Sequence, residues 1–178
     1  MSENKKAVVL DTSAFVAGFD PSSIDADIYS VPAVREELVE ESLPKIRFDA
    51  AVEKGRLRLI EPSLQYINAV KESSRDVADL PYLSQTDIQV LALAVQLRQE
   101  GFIPTIITDD YSIQNVACKM NISFAPLLTF GIRFYLKWTV YCPGCRKRYP
   151  SDCKLERCEV CGTQLRRKPI RKRLIGRK

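Results

Sequence analysis

The chain contains no histidine. This absence excludes hydrolytic enzymes that use an imidazole base, such as those built on Ser-His-Asp or Cys-His arrangements. It also excludes metal sites with histidine ligands, so a bound metal must be held by sulfur or oxygen donors. A hydrolytic reaction would therefore depend on carboxylates, lysine or tyrosine.

Long apolar runs and glycine-rich motifs are missing as well. No run approaches the roughly 18 apolar residues that a membrane-spanning helix needs, so we expect no membrane association. The 7 glycines do not form a dinucleotide-binding or P-loop motif after the first predicted strand, and no organic small-molecule cofactor is expected. With 46% apolar and 28% charged residues, the chain can nevertheless bury a core.

The net charge of +5 is unevenly distributed along the chain. Residues 1–136 carry 13 Lys and Arg against 19 Asp and Glu, a balance of −6. Residues 137–178 carry 14 against 3, a balance of +11. Such a split predicts two modules with different electrostatic partners, of which the second is suited to a polyanion.

Strand and helix patterns alternate over the acidic part. Short apolar runs bounded by polar residues or proline predict strands buried on both faces, and helical spacing of apolar residues predicts the helices between them. This alternation predicts a three-layer α/β/α domain with a parallel sheet. The predicted strands are residues 7–10, 28–31, 57–60, 105–108 and 122–124, and the predicted helices are residues 33–41, 44–54, 64–78, 84–99 and 111–120.

The same patterns divide the chain into four parts. Residues 1–125 form the α/β domain, and residues 126–137 form a linker with a candidate strand near its end. Residues 138–165 hold paired cysteines, and residues 166–178 form a basic tail. The two modules are expected to fold around separate cores.

Acidic residues follow the predicted strands at the points where those strands end. Asp11 comes directly after the first strand, Asp109 and Asp110 follow the strand at 105–108, and Asp87 opens a helix. Because the carboxyl ends of parallel strands meet at one edge of a sheet, Asp11 and Asp110 should lie close together. Converging carboxylates repel one another unless a divalent cation lies between them, and oxygen ligands favour Mg²⁺ or Mn²⁺.

A purely structural interpretation of these acids stands beside the metal-site hypothesis. Asp87 with Ser84 fits a capping box, and Asp109 or Asp110 can cap the helix that follows. Glu37 lies in a glutamate-rich run and could simply be solvated.

Two C-x-x-C pairs, separated by 12 residues, predict a metal site in the C-terminal module. Four thiolates suit a tetrahedral Zn²⁺ ion with no open position, so we expect one structural zinc in a zinc ribbon. Cys153 lies between the pairs and is not expected to be a ligand, and Cys118 is expected to be a small buried residue. The predicted ligands are Cys142, Cys145, Cys158 and Cys161.

Basic residues flank the cysteine pairs, with Trp138, Tyr141 and Tyr149 among them. Phosphate contacts by the cations, and base stacking on the aromatic rings, would suit an unpaired RNA strand. Alternatively, Trp138 and Tyr141 pack the ribbon core and the tail is solvated. The predicted RNA-binding residues are Arg146, Lys147, Arg148, Arg166, Arg167, Lys168, Arg171, Lys172 and Arg173.

Three motifs resemble those of the PIN-domain nucleases: DTSAF after the first strand, SQTDIQVLALA and IITDDYSIQNVA. A fourth, weaker match is VPAVREEL. The resemblance spans residues 7–125 and implies a metal-dependent nuclease whose metal ligands are Asp11, Asp87 and Asp110. It implies an acidic catalytic quartet of Asp11, Glu37, Asp87 and Asp110.

The match also assigns supporting positions. The family pattern T-x-D aligns with Thr108 and Asp110, which leaves Asp109 in the variable middle position behind the metal ligands. Thr12 or Ser13 resembles the hydroxyl residue that follows the first aspartate. Glu36 is the alternative to Glu37, and neither the choice of Mg²⁺ or Mn²⁺ nor the number of ions is fixed.

A PIN domain followed by a zinc ribbon and a basic tail resembles the Nin-one-binding protein family, in its archaeal form. The resemblance implies an endoribonuclease that trims the 3′ end of small-subunit ribosomal RNA. The implied partners are small-subunit pre-rRNA, the pre-ribosomal particle and other assembly factors, in the cytoplasm. Two alternatives are a toxin-type PIN ribonuclease acting on tRNA or mRNA, and a non-catalytic RNA-binding assembly factor.

Overall fold

The computed structural model describes residues 5–77, 83–128, 134–150 and 153–174. A parallel sheet of five strands forms the centre of the acidic part. These strands are β1 (Lys6–Leu10), β2 (Asp27–Ser30), β3 (Arg58–Leu59), β4 (Ile103–Ile107) and β5 (Ser123–Ala125). They lie in the order β3-β2-β1-β4-β5, and every neighbouring pair is parallel. The predicted α/β fold class is confirmed.

In the described ranges six α-helices connect the strands, besides a short 3-10 helix at Pro21–Ser23. They are α1 (Thr12–Val16), α2 (Pro32–Glu37), α3 (Leu43–Glu53), α4 (Leu64–Val77), α5 (Gln85–Gln99) and α6 (Tyr111–Lys119). Helix α1 contacts α2 and α3, whereas α4, α5 and α6 contact one another. Since crossovers between parallel strands are right-handed, the strand order places these two groups of helices on opposite faces of the sheet. The result is a three-layer arrangement.

Helix α5 lies at the centre of the core. Its middle residues, 90–95, are all buried, so the helix is covered on every side rather than along one stripe. It contacts β1 and β4 on the sheet and α4 and α6 beside it. Its first turn carries the predicted capping box, in which Ser84 and Asp87 exchange hydrogen bonds of 2.7 and 3.0 Å. This reciprocal pair of hydrogen bonds fixes the first turn of α5, which contains Asp87.

Two helix predictions differ from the structure. Helix α1 was not predicted, because it begins in the polar segment that ends β1 and its five residues are too few to show a helical period. Helix α2 ends at Glu37 instead of continuing to Glu41, and Leu38 leaves the helix with an extended backbone. A continuous helix would set glutamates of the run four residues apart, where like charges repel. The early end leaves Glu37 at the last turn of α2.

The basic part contains a second, antiparallel sheet. Its strands are β6 (Phe134–Tyr141), β7 (Arg148–Tyr149) and β8 (Arg166–Leu174), in the order β7-β6-β8. Strand β6 begins inside the predicted linker, and β8 occupies most of the predicted basic tail, for which no strand was predicted. Backbone groups alone form the ladder, so the scarcity of apolar residues in β8 does not prevent pairing. The division of the chain into modules remains a prediction.

Strand β6 contacts α4 and α6 of the acidic part. A separate small core lies around Val140, Cys142, Tyr149 and Cys158. In the part of the chain that the structure describes, no helix combines the length and the apolar character that crossing a membrane requires.

Candidate active site and metal centre

The predicted acids meet at the carboxyl edge of the parallel sheet. Strands β1 and β4 are neighbours with Leu10 opposite Ile107, and the Asp11 amide donates to the Ile107 carbonyl at 3.3 Å. The residues that follow the two strands, Asp11 and Thr108, therefore lie side by side although they are distant in sequence. This placement follows from the parallel topology alone.

The carboxylate of Asp11 is buried and only half satisfied. Its Oδ2 atom accepts hydrogen bonds of 2.8 Å from both the Ser13 hydroxyl and the Thr108 hydroxyl. Its Oδ1 atom is buried and has no hydrogen-bond partner in the described structure. Burial raises the pKa of Asp11 above its ordinary value, and the hydrogen bonds from Thr108 and Ser13 only partly oppose this. Buried oxygens without partners are rare in proteins, so Oδ1 is a candidate ligand atom.

The charges of Asp11 and Asp110 both act on Asp87. The pKa of Asp87 is raised to about 6, first by burial and then by the charges of Asp11 and Asp110. Asp110 caps α6, and its Oδ1 accepts from the amides of Ser112 at 2.6 Å and Ile113 at 3.3 Å. Both acids do serve as caps. The caps also hold these carboxylates in place at the edge where Asp11 lies.

Glu37 is connected to the same edge through Thr12. The Thr12 hydroxyl donates to Glu37 Oε2 at 2.5 Å, so the last turn of α2 is held against the start of α1. No contact of this kind involves Glu36 among the described residues, and both glutamates are exposed. The geometry therefore favours Glu37 over Glu36 as the fourth acid.

The Asp109 carboxylate is hydrogen-bonded to the chain that follows β5. Its carboxylate accepts from the backbone amides of Leu127 and Leu128 at 3.0 and 3.1 Å, while its own amide donates to the Ser13 hydroxyl at 3.0 Å. Asp109 therefore fastens the chain after β5 to the catalytic edge. This contact fits a supporting position rather than that of a metal ligand.

One supporting residue escaped sequence analysis. The Gln114 side chain is fully buried, and its Nε2 donates to the Thr108 carbonyl at 2.9 Å. The Thr108 hydroxyl in turn accepts a hydrogen bond from the Asp110 amide at 3.0 Å and donates one to Asp11. The sequence did hold one indication of this role, since Gln114 directly follows the apolar Ile113 in a predicted helix. A polar side chain buried at that position needs a hydrogen-bond partner.

The four predicted zinc ligands converge in the basic part. The Sγ atoms of Cys142, Cys145, Cys158 and Cys161 all lie within 4.8 Å of one another. Within the described ranges, no other group of three or more cysteine or acidic side chains has its ligand atoms this close together. The carboxylates at the edge of the parallel sheet therefore lie farther apart than these four sulfurs. Four sulfur donors in this arrangement fit a tetrahedral zinc ion.

Neighbouring groups favour the thiolate form of two of these sulfurs, whereas the pKa of Cys145 is raised to about 11. The Tyr149 hydroxyl lies 3.1 Å from Cys158 Sγ and lowers the pKa of that thiol to about 6. The Thr163 side chain lowers the pKa of Cys161. Thiolates are the form that binds metal. Tyr149 is buried at this site, so the proposed stacking of RNA bases on its ring is wrong.

The predicted RNA-binding residues are distributed over β7, β8 and the first cysteine pair. Arg146, Lys147, Arg148 and Arg166 are exposed, and the Lys168 Nζ atom lies 4.4 Å from the centre of the Tyr141 ring. Cys153 packs against the small core and is not among the four clustered sulfurs, as expected. The predicted residues whose side chains lie outside the described structure are Trp138, Arg171, Lys172 and Arg173.

Comparison with known proteins adds family information to this geometry. A family model described as "PIN domain of ribonuclease" matches residues 8–97, which include Asp11, Glu37 and Asp87. The chain is 40% identical over 160 residues to "Endoribonuclease Nob1" of Methanothermobacter thermautotrophicus, across 90% of this chain and 91% of that protein. It is 38% identical over 169 residues to "Endoribonuclease Nob1" of Methanocaldococcus jannaschii, across 95% and 81%.

A relative with a different name is also similar. The chain is 34% identical over 170 residues to "Ribonuclease VapC1" of Thermoplasma acidophilum, across 96% of this chain and 82% of that protein. All three relatives are similar over most of their own length, so the comparison involves whole chains rather than one shared motif.

Proposed function

Because the chain belongs to the family of PIN-domain endoribonucleases that includes Endoribonuclease Nob1, we propose that it matures the 3′ end of small-subunit ribosomal RNA. It would act as a metal-dependent endoribonuclease on the pre-ribosomal particle, in the cytoplasm and beside other assembly factors. No organic cofactor is needed for this reaction, since hydrolysis of a phosphodiester requires only water, a metal ion and acidic side chains.

One observation carries the proposal: Asp11 is buried, has an Oδ1 atom without a partner, and acts with Asp110 through its charge to raise the pKa of the nearby Asp87. An unpaired buried carboxylate is unfavourable by itself, and a divalent cation would satisfy it. Asp11, Asp87 and Asp110 would hold Mg²⁺ or Mn²⁺, with Glu37 completing the site. The bound ion would supply an activated water and would stabilise negative charge on the phosphoryl oxygens.

The protein's own residues prepare this site. Ser13 and Thr108 both bind Oδ2 of Asp11, which fixes the carboxylate plane and leaves Oδ1 free for a ligand. Thr12 holds Glu37 at the same edge, where this acid can orient a water molecule. Asp109 and Ser13 stand behind the ligands and maintain their positions.

We assign the cysteine cluster to one structural Zn²⁺ and the basic part to RNA binding. Four sulfur ligands leave no open coordination position, so this ion would stabilise the fold without reacting. The +11 balance of residues 137–178 suits contacts to RNA phosphates. Removal of zinc should unfold the small core around Cys142 and Cys158, while the parallel sheet keeps its own core.

The test is cleavage of an RNA that spans the 3′ end of small-subunit rRNA, with Mn²⁺, Mg²⁺ or EDTA. Wild type should cleave it and leave 3′-hydroxyl and 5′-phosphate ends, because water rather than the ribose 2′-hydroxyl attacks. Asp11→Asn should reduce cleavage by at least ~100-fold while RNA affinity stays within a few-fold. Asp25→Asn, at an exposed position, is the matched control.

Two further variants separate the neighbouring acids. Asp110→Asn should reduce cleavage strongly, whereas Asp109→Asn should do so less, since an amide oxygen can still accept from the Leu127 and Leu128 amides. Robust cleavage by Asp11→Asn, or full activity in excess EDTA, would rule out the metal-nuclease proposal. A non-catalytic assembly factor would then be the better description.

The similarity to Ribonuclease VapC1 supports a second candidate function, that of a toxin-type PIN ribonuclease acting on tRNA or mRNA. The two candidates predict different substrates for the same site. A mixture of rRNA precursor, tRNA and mRNA distinguishes them, since preferential cleavage of the precursor supports maturation and preferential cleavage of tRNA or mRNA supports the alternative.

A further inference from the structure

We propose that Tyr111 stacks on the unpaired base next to the scissile phosphate and thereby positions an RNA strand at the catalytic edge. This inference rests on the proposed function, because it assigns a substrate contact to the same site. It identifies Tyr111 as a positioning residue that acts through the base rather than through the phosphate. It also implies that the substrate is single-stranded where it is cut, since a paired base has no free face.

Tyr111 occupies a fixed place next to the acids. It follows Asp110 directly and is the first residue of α6, whose start is held by bonds from the Ser112 and Ile113 amides to Asp110. The Cα–Cβ bonds of a helix tilt toward its N-terminus. A side chain at the first position therefore leans toward the carboxyl edge of the sheet, where Asp11 lies.

The Tyr111 ring is exposed although the rest of its helix is packed. The side chain is 55% exposed, while Ile113, Val116 and Ala117 of α6 are fully buried. In the described structure it is the one aromatic residue among the exposed large apolar side chains, and no hydrogen bond or ring contact holds it. The aromatic rings Phe15 and Phe48, by contrast, are fully buried in the core. Packing therefore does not explain an aromatic ring at this position.

A second exposed apolar residue is attached to the corner that precedes Tyr111. Leu128 is 76% exposed, and its amide donates to the carboxylate of Asp109, the residue two before Tyr111. The backbone of Leu128 is therefore held at the Asp109–Asp110 corner. An exposed apolar surface beside a catalytic edge suits the flat face of a base better than it suits a phosphate.

The charge of this part of the chain leads to the same conclusion. Residues 1–136 carry a balance of −6, and the edge itself is lined with carboxylates, so phosphates are repelled there until a cation is bound. Stacking on an aromatic ring does not depend on charge, and it tolerates any base because every base has a π-face. A base contact can therefore hold the strand at an acidic edge.

The first experiment measures single-turnover cleavage by wild type, Tyr111→Ala and Tyr111→Phe on the single-stranded precursor RNA. Tyr111→Phe keeps the ring and should cleave as wild type does. Tyr111→Ala should lose about 5- to 150-fold in the single-turnover rate constant divided by the half-saturating enzyme concentration, the range expected for one base stack. Leu64→Ala is the matched control, because Leu64 is also an exposed apolar residue at the first position of a helix.

Abasic nucleotides identify the base concerned. Replacing the nucleotides around the cut one at a time should reveal one position at which removal of the base slows wild type as much as Tyr111→Ala does. At that position Tyr111→Ala should show no further loss, since the same contact has already been removed. Additive losses at every position, or a Tyr111→Ala rate equal to wild type, would overturn the proposal. A melting temperature equal to that of wild type shows that the variant is folded.

A second measurement needs no cleavage. RNAs carrying 2-aminopurine at successive positions are bound to the Asp11→Asn variant and to the double variant Asp11→Asn, Tyr111→Ala. Stacking on Tyr111 should quench the 2-aminopurine fluorescence about two-fold at one position, and only in the protein that keeps the ring. If wild type fails to cleave any RNA, the proposed function fails, and this quenching still decides the contact. Identical quenching at all positions in both proteins would refute a role for Tyr111.

Discussion

At the scale of single residues, Asp11 combines two opposite environments within one carboxyl group. Two hydroxyl groups satisfy Oδ2, while Oδ1 is buried without a partner. Leaving a buried polar atom unsatisfied costs about 1–3 kcal/mol and more for a charged group. A site of this kind is less stable than the fold would otherwise allow, and it gains stability when a cation binds.

Divalent cations should therefore stabilise the protein through Asp11. Mn²⁺ at ~100 times its dissociation constant should add about 2.7 kcal/mol, measured as a rise in melting temperature over a zinc-loaded sample to which no Mn²⁺ is added. Asp11→Asn should remove most of this rise, whereas Asp25→Asn should keep it. An equal rise in Asp11→Asn would place the cation elsewhere.

The pH dependence of the metal-free protein should report Asp87. Its pKa of about 6 lies above the ordinary 3.8, so the folded state holds a proton that the unfolded chain releases between these values. The resulting stabilisation is complete below about pH 3.8 and is lost as the pH rises through 6. In EDTA, Asp87→Asn should therefore melt higher than wild type at pH 8. With screening at this partly exposed group, the gain is about 1 kcal/mol, or ~2–4 °C.

The same titration works against metal binding. A protonated Asp87 is a poor ligand, so the Mn²⁺-induced rise in melting temperature should shrink between pH 7 and pH 5 in wild type. If the melting difference between Asp87→Asn and wild type is the same at pH 4 and pH 8, the assignment of this pKa is wrong.

Some residue roles follow from the sequence, and others depend on tertiary contacts. Strand ends are visible as sequence patterns, so the meeting of Asp11 and Asp110 could be predicted from topology. Gln114 could not be assigned, because its hydrogen bond to Thr108 depends on how α6 lies on the sheet. Tyr149 was misassigned for the same reason, since its burial against Cys158 is created by the pairing of β6 and β7.

At the scale of elements, the two cysteine turns have the same backbone path but different residues at one position. After the second cysteine of each pair the backbone is left-handed, with φ of 62° at Arg146 and 70° at Gly162. The amide of each of these residues donates at 2.9 Å to the carbonyl of the first cysteine of its pair. Glycine adopts this conformation without cost, whereas an L-residue loses about 1–2 kcal/mol.

Arg146→Gly should consequently separate stability from RNA binding. Relief of the left-handed strain should stabilise the zinc-binding turn by about 1 kcal/mol, measured as greater resistance to a zinc chelator. RNA affinity should fall, and the slope of log K against log salt should decrease by ~0.7 if one phosphate contact is lost. A variant that is more stable and binds RNA equally well would exclude Arg146 from the interface.

Element boundaries show where sequence patterns lose information. The existence of five strands was predictable because buried parallel strands appear as short continuous apolar runs. The end of α2 at Glu37 was not, since a glutamate-rich run has good helix propensity and its like-charge repulsion is a weaker indication. Strand β8 was missed because its residues carry no apolar alternation, and backbone pairing with β6 alone defines it.

At the scale of the whole molecule, the proposed function gives the acidic edge and the basic part complementary tasks. The edge would act only when a cation offsets its carboxylates, whereas the basic part would attract RNA without one. Strand β6 connects them, because it contacts α4 and α6 while it pairs with both β7 and β8. A deletion of residues 137–178 would cut through β6, so point substitutions in the full chain test this division of tasks more sharply.

The triple variant Arg146→Ser, Lys147→Ser, Arg148→Ser should weaken RNA binding and flatten its salt dependence. Each phosphate contact to a single strand contributes ~0.7 to the slope of log K against log salt, so the slope should fall by about 2 if all three residues bind phosphates. The matched control replaces three exposed cations of the acidic part, Arg47, Lys54 and Arg56, and removes the same charge.

Because the overall charge changes equally in both variants, only a local interface can make their salt slopes differ. Equal slopes in the two variants would mean that net charge, rather than the basic part, attracts the RNA. If instead the first variant loses affinity while cleavage of bound RNA stays at the wild-type rate, binding and catalysis are divided between the two sheets.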